Sequence, residues 1–203
     1  MDGDDPDWLR PRGRGWQINS RTHVHDNPWF AVDAFEATAP TGAPAKYYLQ
    51  QFKNTAVGVV PLHADGTITL VGQWRFPFNA YSWELPEGGA PKGEDPVDGA
   101  KRELREEAGL EAADWRHILT MQLSNSCSDE VAHGYLATGL TPIGDDPDAT
   151  EELAVVRAPF REALNAVASG RIQDAITVAM LLRVYHMAQQ RELPESLAAA
   201  VLA

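Results

Sequence analysis

The sequence predicts an α/β protein in which a mixed β-sheet lies between helices and is preceded by an antiparallel β segment. Apolar runs of strand length occur both before and after one sharply delimited helix. Two further helical stretches stand near the end of the 203 residues. Because strands bracket the first helix and helices follow the last strand, the order of elements is typical of a layered α/β sandwich.

The first 50 residues predict a tail and an N-terminal β segment. Residues 1–14 are polar and rich in Pro and Gly, so we expect a disordered tail. Residues 16–38 alternate in polarity, which predicts two strands that turn at Asp26-Asn27-Pro28. A third strand is expected at 45–52, after Gly42-Ala43-Pro44. We therefore divide the chain into the tail at 1–14, the β segment at 15–50 and a main domain at 51–203.

The main domain begins with two apolar strands at 55–62 and 67–74, joined by the turn Ala64-Asp65-Gly66. Two later runs, at 115–123 and 133–140, predict further strands. A loop rich in Pro, Gly and Asp follows. The remaining predicted elements are that loop at 141–150, a strand at 153–157, and helices at about 161–168 and 172–190.

One helix carries the most informative pattern of the chain. Asp95-Pro96 supplies a capping side chain and a proline for the first turn, and Gly109 suits the left-handed position after the last turn. Glu103, Glu106 and Glu107 are spaced three and four residues apart, so they share one helix face. Such clustered oxygen ligands suit Mg²⁺ or Mn²⁺, because a cation relieves their mutual repulsion. The alternative is a solvated acidic face.

The residues around this helix argue against a merely solvated face. Gly88-Gly89 lets the backbone approach a ligand closely, which a solvated face does not need. The complete pattern is Gly88, five residues, Glu94, seven residues, Arg102-Glu103-Leu104, one residue, Glu106-Glu107, one residue, and Gly109-Leu110. This pattern resembles the signature of the Nudix hydrolases at every defined position, so the predicted fold is a Nudix-type sandwich.

The resemblance implies roles for the residues of the signature. Glu103, Glu106, Glu107 and the backbone carbonyl of Glu87 are expected to hold Mg²⁺ (or Mn²⁺). Such ions would bridge the substrate and the attacking water. The pair Arg102 and Glu94 is expected to brace the glycine-containing segment against the helix rather than to contact the substrate.

Motifs outside the signature resemble the ADP-ribose pyrophosphatase branch of the family. These motifs are Leu70–Arg75, Trp83–Gly88, Gly170–Thr177 and the extra N-terminal β segment. The resemblance implies hydrolysis of ADP-ribose to AMP and ribose 5-phosphate, in a homodimer whose N-terminal strands complete the partner's site. GDP-mannose or another nucleotide sugar is the alternative substrate, since related hydrolases share much of these motifs. A nucleotide-sensing module without turnover is a further alternative, which the intact signature disfavours.

The general base is expected on a later loop, where Ser126 to Glu130 stands before a strand. Glu130 is the first candidate, and its alternative is an ordinary exposed carboxylate. Glu107 is the reserve base, and Glu106 is counted with it among the catalytic carboxylates. The loop reads Ser124-Asn125-Ser126-Cys127 where related enzymes usually show Ser-Pro-Gly.

Four residues are candidates for substrate binding. Arg75 resembles the arginine that meets the substrate phosphates, and Glu84 is a second polar contact, although the two could instead form a strand-end ion pair. Trp16 and Phe30 are candidate aromatic faces for a nucleobase, and the alternative for each is a core position.

The composition of the chain limits the kinds of binding partner and the cellular location that we expect for the protein. A net charge of −12 disfavours nucleic acid, and no apolar run approaches the roughly 20 residues that span a bilayer. The single cysteine, Cys127, excludes an internal disulfide framework and favours a reducing compartment. We therefore expect a cytoplasmic protein that acts on a small nucleotide-derived molecule.

Overall fold

A computed structural model describes residues 6–144 and 153–203. The chain forms two compact units. One comprises residues up to Phe52 together with Ser126–Asp129, and the other comprises Lys53–Asn125 and Glu130–Ala203. The domain boundaries expected from the sequence stay predictions, and most of the predicted loop at 141–150 lies outside the described residues.

The first unit is a three-stranded antiparallel sheet. Its strands are β1 (Gln17–Asp26), β2 (Phe30–Thr38) and β3 (Pro44–Phe52), in that order, and β1 is exposed along its whole length. The predicted turn between β1 and β2 forms because the Asn27 Oδ1 accepts hydrogen bonds from the Trp29 and Phe30 N–H groups, both at 2.9 Å. The later segment 126–129 joins β3, since the Phe52 N–H donates to the Asp129 Oδ1 at 2.8 Å. A short 3₁₀ turn occupies Asp7–Leu9.

The second unit contains two sheets and four helices. A four-stranded sheet has the order β7-β4-β9-β8, with β4 and β9 parallel and the other pairs antiparallel, and a three-stranded antiparallel sheet has the order β10-β5-β6. The strands are β4 (Asn54–Pro61), β5 (Thr67–Arg75), β6 (Ala80–Glu84), β7 (Glu87–Pro91), β8 (Leu110–Gln122), β9 (Val131–Pro142) and β10 (Ala154–Pro159). The helices are α1 (Pro96–Ala108), α2 (Phe160–Ala168), α3 (Ala175–Gln189) and α4 (Glu195–Leu202).

The mixed sheet lies between α1 and α3. Alternate residues of β4 point to opposite faces, and Val57 and Val59 pack in one core with Leu104 of α1. On the other face, Gly58 lies so close to α3 that an added Cβ would be 2.6 Å from the Ile176 Cγ2. The α/β sandwich with a mixed sheet and an antiparallel N-terminal segment is therefore confirmed.

Four details differ from the expectation. Residues 87–91 form β7, although their glycines predict a loop, because they pair with β4. Strand β8 begins at Leu110, directly after the helix, and α3 begins at Ala175, where a side-chain cap precedes it. Helix α4 was missed because its Ala-rich sequence gives a weak periodic signal, yet Val201 is fully buried. No helix in the described ranges is long and apolar enough to cross a bilayer.

Candidate active site

Helix α1 is held in place by its two caps and its apolar stripe. The Asp95 Oδ1 accepts a hydrogen bond from the Val97 N–H at 3.1 Å, and Gly109 takes the left-handed conformation with φ 60°. Ala100 and Leu104 are fully buried. Because the apolar stripe fixes the rotation of the helix, Glu103 and Glu107 of its last two turns are directed at β7.

Two glutamates of α1 hold the backbone of β7. The Glu107 Oε2 accepts a hydrogen bond from the Glu87 N–H at 2.8 Å, and the Glu103 Oε1 accepts one from the Gly89 N–H at 3.3 Å. Between these two contacts, the Glu103 carboxylate lies directly over Gly88, where an added Cβ would be 2.2 Å from the Glu103 Cδ. Glycine at position 88 therefore makes room for the close approach of a carboxylate and does not serve a turn.

Arg102 links the segment after β7 to α1. Its Nη2 donates to the Gly89 carbonyl at 2.6 Å, and its Nη1 donates to the Glu94 Oε1 at 3.2 Å. Its Nε also lies 3.9 Å from the Glu106 Oε2. With these contacts made to protein groups, the geometry of Arg102 is that of a brace.

The carboxylates of α1 suit a divalent metal ion. Glu103 is pressed into the space over Gly88 and is 14% exposed, while Glu106 is 43% exposed, so the cluster combines a held ligand with an accessible one. All donors are hard oxygen atoms on one helix face, which is the ligand type that Mg²⁺ and Mn²⁺ prefer. The residues present therefore fit the metal that the signature implies.

A second group of charged residues lies at the ends of β5 and β6. The Arg75 Nε donates to the Glu84 Oε1 at 2.9 Å, and its Nη2 donates to the Glu87 Oε1 at 3.0 Å. Hydrogen bonds to Glu84 raise the pKa of Arg75 above its usual value, and the charges of Glu87 and Glu107 act in the same direction. The ion pair that the sequence left open as an alternative is thus formed, and its arginine stays charged.

Asp174 completes this second group and was missed by the sequence analysis. It caps α3, because its Oδ2 accepts a hydrogen bond from the Thr177 N–H at 2.7 Å. Carboxylate oxygens of Glu84, Glu87 and Asp174 lie within 4.8 Å of one another. Burial raises the pKa of Glu87 well above its usual value, and the nearby charges of Asp174 and Glu84 add to that shift. The sequence signal that could have identified Asp174 is its place as a helix-capping Asp inside the motif Gly170–Thr177.

Glu87 connects the two groups. Its backbone N–H bonds to Glu107 of the α1 group, while its side chain bonds to Arg75 of the second group. The sequence predicted only a backbone role for this residue. Its position makes the α1 carboxylates and the Arg75 pair parts of one continuous site in the second unit.

The other predicted site residues occupy separate positions. Glu130 is half-buried and directly precedes β9. Trp16 and Phe30 both belong to the first unit, where Trp16 meets the Tyr47 ring edge-on at 5.7 Å and Phe30 lies 6.2 Å from the Phe52 ring. The proposed roles of these three residues in catalysis and base recognition stay predictions.

Comparisons with known proteins agree with this geometry. Residues 53–180 match the family model of the NUDIX domain. The chain is 35% identical to an ADP-ribose pyrophosphatase of Mycobacterium tuberculosis, over 83% of this chain and 82% of that protein. It is 30% identical to a CMP-5'-(N-acetyl-N-hydroxy-3-aminopropyl)phosphonate hydrolase of Streptomyces rubellomurinus, over 92% and 86% of the two chains.

A solved structure gives the same result for the fold. The crystal structure of an ADP compounds hydrolase superposes with a TM-score of 0.79, covering 90% of this chain and 98% of that one at 21% identity. The family match spans more than half of the described chain and includes the carboxylate face of α1, the braced β7 segment and the Arg75 pair. The chain therefore belongs to the Nudix hydrolase family.

Proposed function

We propose that this protein hydrolyses the diphosphate linkage of ADP-ribose, with Mg²⁺ or Mn²⁺, to give AMP and ribose 5-phosphate. The proposal rests on the hydrogen bonds that Glu103 and Glu107 accept from backbone N–H groups of β7. These bonds occur in a chain that is 35% identical to an ADP-ribose pyrophosphatase. The motifs that resemble the ADP-ribose pyrophosphatase branch also contain Arg75 and Glu84, which form an ion pair.

The chain's own residues supply three requirements of phosphoryl transfer to water. Glu103, Glu106, Glu107 and the Glu87 carbonyl are the proposed metal ligands. A bound Mg²⁺ or Mn²⁺ supplies positive charge to the phosphate oxygens and lowers the pKa of bound water. Arg75, whose pKa is raised by Glu84, remains cationic and is proposed to orient a phosphate oxygen.

A carboxylate is needed to accept the proton of the attacking water. Glu130 is the first candidate and Glu107 is the reserve. Glu107 already accepts a hydrogen bond from the Glu87 N–H, which fixes its direction and favours a ligand role for it. Substitution of Glu130 by Gln therefore separates the two candidates, since only loss of the base lowers kcat without weakening metal binding.

The first experiment is a substrate panel with products identified by mass. The panel contains ADP-ribose, GDP-mannose, UDP-glucose, NADH, nucleoside triphosphates and the CMP phosphonate named for the Streptomyces relative. We expect a clear preference for ADP-ribose, with AMP as product and with turnover that depends on added Mg²⁺. A preference for GDP-mannose or another nucleotide sugar would replace the proposed substrate but keep the reaction.

A non-catalytic sensor would behave differently in the same assay. Such a protein would bind nucleotide with metal present but release no product from any member of the panel. The Glu106→Gln and Glu107→Gln variants sharpen this comparison, because they should abolish turnover in an enzyme but only weaken binding in a sensor.

The homodimer and the cytoplasmic location expected from the sequence are proposals too. Sedimentation of the full chain tests the homodimer.

A further inference from the structure

Two histidines of the mixed sheet lie side by side on neighbouring strands. His133 of β9 is half-buried and His117 of β8 is exposed. The His133 Nδ1 lies 3.3 Å from the His117 Nε2. The Thr120 Oγ1 lies 3.1 Å from the His117 Nε2 and 3.4 Å from the His133 Nδ1. These three atoms form a nearly equilateral triangle, and we call the three residues the histidine cluster.

A β-bulge brings the histidine cluster together. Thr120 lies opposite His133 in the antiparallel register, and the register of β8 and β9 shifts between His117 and Leu119. Residues three apart on a regular strand point to opposite faces of a sheet. The bulge therefore places His117 and Thr120 on the same face, which is a common use of bulges near functional sites.

Hydrogen bonds alone do not satisfy the triangle. An imidazole nitrogen has one in-plane position, which holds either a proton or a lone pair, so each nitrogen makes one well-directed hydrogen bond. The His117 Nε2 and the His133 Nδ1 each have two neighbours within 3.4 Å. At least one of the three contacts is therefore left without a well-directed hydrogen bond. A cation between the three atoms would instead take one lone pair from each of them.

The spacing of the three atoms matches one face of a tetrahedral metal site. With metal–nitrogen bonds of about 2.0–2.1 Å, neighbouring ligand atoms of a tetrahedron are about 3.3–3.4 Å apart. The observed separations are 3.1, 3.3 and 3.4 Å. Imidazole nitrogen suits Zn²⁺, Ni²⁺ and Cu²⁺, whereas Mg²⁺ prefers oxygen. Burial, and then the charge of His117, lower the pKa of His133, so the neutral ring that can bind a metal predominates at neutral pH.

The histidine cluster is separate from the α1 carboxylates. His133 lies opposite Val57 of β4, and Val57 lies opposite Gly88 of β7. Two strand spacings of about 4.8 Å each put the His133 backbone roughly 10 Å from that of Gly88. The ring of His117 lies 5.4 Å from that of Tyr135, which belongs to the core beneath α1. The cluster therefore lies on the α1 side of the sheet and has ligand atoms of its own.

We infer that His117 and His133 bind a divalent transition-metal ion of the Zn²⁺ class through their ring nitrogens, with the Thr120 hydroxyl at a third corner. Because the cluster is exposed on one side, water completes the coordination there. This inference goes beyond the proposed function, since the site needs neither a nucleotide nor the α1 carboxylates. It adds a site selective for ions that prefer nitrogen to one built from oxygen donors.

The test is Zn²⁺ calorimetry on the full chain with excess Mg²⁺, which occupies the oxygen donors. The variants are His117→Gln and His133→Asn, because these amides keep a polar group near the Nε2 and Nδ1 positions but lack the imidazole lone pair. We expect either variant to weaken Zn²⁺ binding about 10-fold or more, since even residues that only orient a ligand contribute about that much. The matched control is His186→Gln, which removes an exposed histidine of α3 and should leave the affinity unchanged.

NMR of the histidine rings in the wild-type protein locates the ion, whether or not a variant folds. Zn²⁺ should shift the ring signals of His117 and His133 and leave that of His186 in place. Thermal melts without Zn²⁺ check the folding of each variant, and added Zn²⁺ should raise the Tm of the wild type most. Wild-type Zn²⁺ affinity in either folded variant, or shifts confined to His23 and His25, would overturn the site and leave a hydrogen-bonded histidine pair.

Discussion

The second unit contains two carboxylate groups that are built in opposite ways. Glu103, Glu106 and Glu107 come from two turns of one helix, and Glu103 and Glu107 accept hydrogen bonds from backbone N–H groups of β7. The group around Arg75 is assembled from residues as distant as Glu84 and Asp174, and its carboxylates surround a cation. The first group includes an exposed carboxylate, that of Glu106, whereas the second is neutralised in part by Arg75.

The two groups differ in how closely an arginine pairs with their carboxylates. The brace residue Arg102 donates to the Gly89 carbonyl and to Glu94, lies 3.4 Å from the Glu103 Oε1, and approaches the Glu106 Oε2 only to 3.9 Å. Arg75, in contrast, bonds to Glu84 through two nitrogens, Nε and Nη2. The carboxylate of Glu106 is therefore paired more weakly than that of Glu84.

The largest expected effect is that of Glu107→Gln on turnover. The substitution removes the charge of a proposed metal ligand and weakens the hydrogen bond to the Glu87 N–H. We expect kcat/KM to fall about 1,000-fold or more, because a ligand contributes several kcal/mol to stabilising the transition state. Steady-state kinetics with saturating Mg²⁺ measures it.

Glu111→Gln is the control for that substitution. Glu111 is exposed, is the second residue of β8 and pairs with Arg105, so its neutralisation should leave turnover unchanged. Wild-type turnover in Glu107→Gln would show that turnover does not need the charge of Glu107, which contradicts its proposed role as a metal ligand.

The next largest effect is expected for Gly88→Ala. An added methyl group would lie 2.2 Å from the Glu103 Cδ, so the carboxylate has to swing away from β7. A displacement of about 1 Å at a catalytic group can cost about 100-fold in rate, and we expect a loss of that order. Folding should survive, because the displaced atoms are the end of a flexible side chain.

Gly89→Ala on the same strand is its control. There an added Cβ would meet the end of the Asn54 side chain at 2.9 Å rather than Glu103. Steady-state kinetics and thermal melts of Gly88→Ala and Gly89→Ala compare the losses of activity and of stability. Equal losses of activity would mean that β7 tolerates no side chain at all, and Gly88 would have no special relation to Glu103.

The sequence predicted the fold and the α1 group for the same physical reason: both depend on local spacing. Helix caps at Asp95 and Gly109 and glutamates three and four residues apart can be read directly from neighbouring letters. The order of strands β4, β5 and β9 followed from apolar runs and turns. By contrast, β7 was predicted as a loop because its strand character comes from pairing with β4, which no local propensity encodes.

The Arg75 group could be read only in part. Arg75 and Glu84 are nine residues apart and follow paired strands, so their ion pair was foreseeable and was left open as an alternative. Asp174 reaches the group because α3 packs on the sheet, and the Thr177 Oγ1 accepts a hydrogen bond from the Leu85 N–H at 2.9 Å. Contacts between residues 90 positions apart have no signature in one sequence.

A smaller effect is expected when the brace is removed by Arg102→Ala. The Gly89 carbonyl and Glu94 then lose their donor, and β7 is held less firmly against α1. Outer residues of this kind typically change activity by about 10-fold to 100-fold, and we expect the lower end, since Glu103 and Glu107 still bond to β7. Titration with Mg²⁺ should show a weaker apparent affinity for the metal.

Two substitutions accompany Arg102→Ala. Arg102→Lys keeps the charge but loses the fork, so it should recover only part of the activity. Arg105→Ala removes an exposed arginine of the same helix, which pairs with Glu111, and should have no effect. A full recovery by lysine would mean that Arg102 acts through charge alone.

The smallest expected effect is on the stability of the protein rather than on its rate, and it comes from Glu87 of the Arg75 group. Burial, with Asp174 and Glu84 close by, raises the pKa of Glu87 well above 4.5 in the folded protein. Below pH 4.5 the side chain is protonated in both states and its contribution to stability is complete. As the pH rises toward the folded pKa, the unfolded state loses its proton first, so stability falls.

Glu87→Gln removes this dependence because the amide stays neutral. In the absence of divalent metal, the variant should therefore be more stable than the wild type near neutral pH, and the difference should shrink as the pH falls toward 4.5. Urea unfolding across that range measures it, with Glu111→Gln as an exposed reference. If Glu87→Gln were instead less stable at neutral pH, the Arg75 group would be a net stabilising ion network, and its contrast with the α1 carboxylates would not hold.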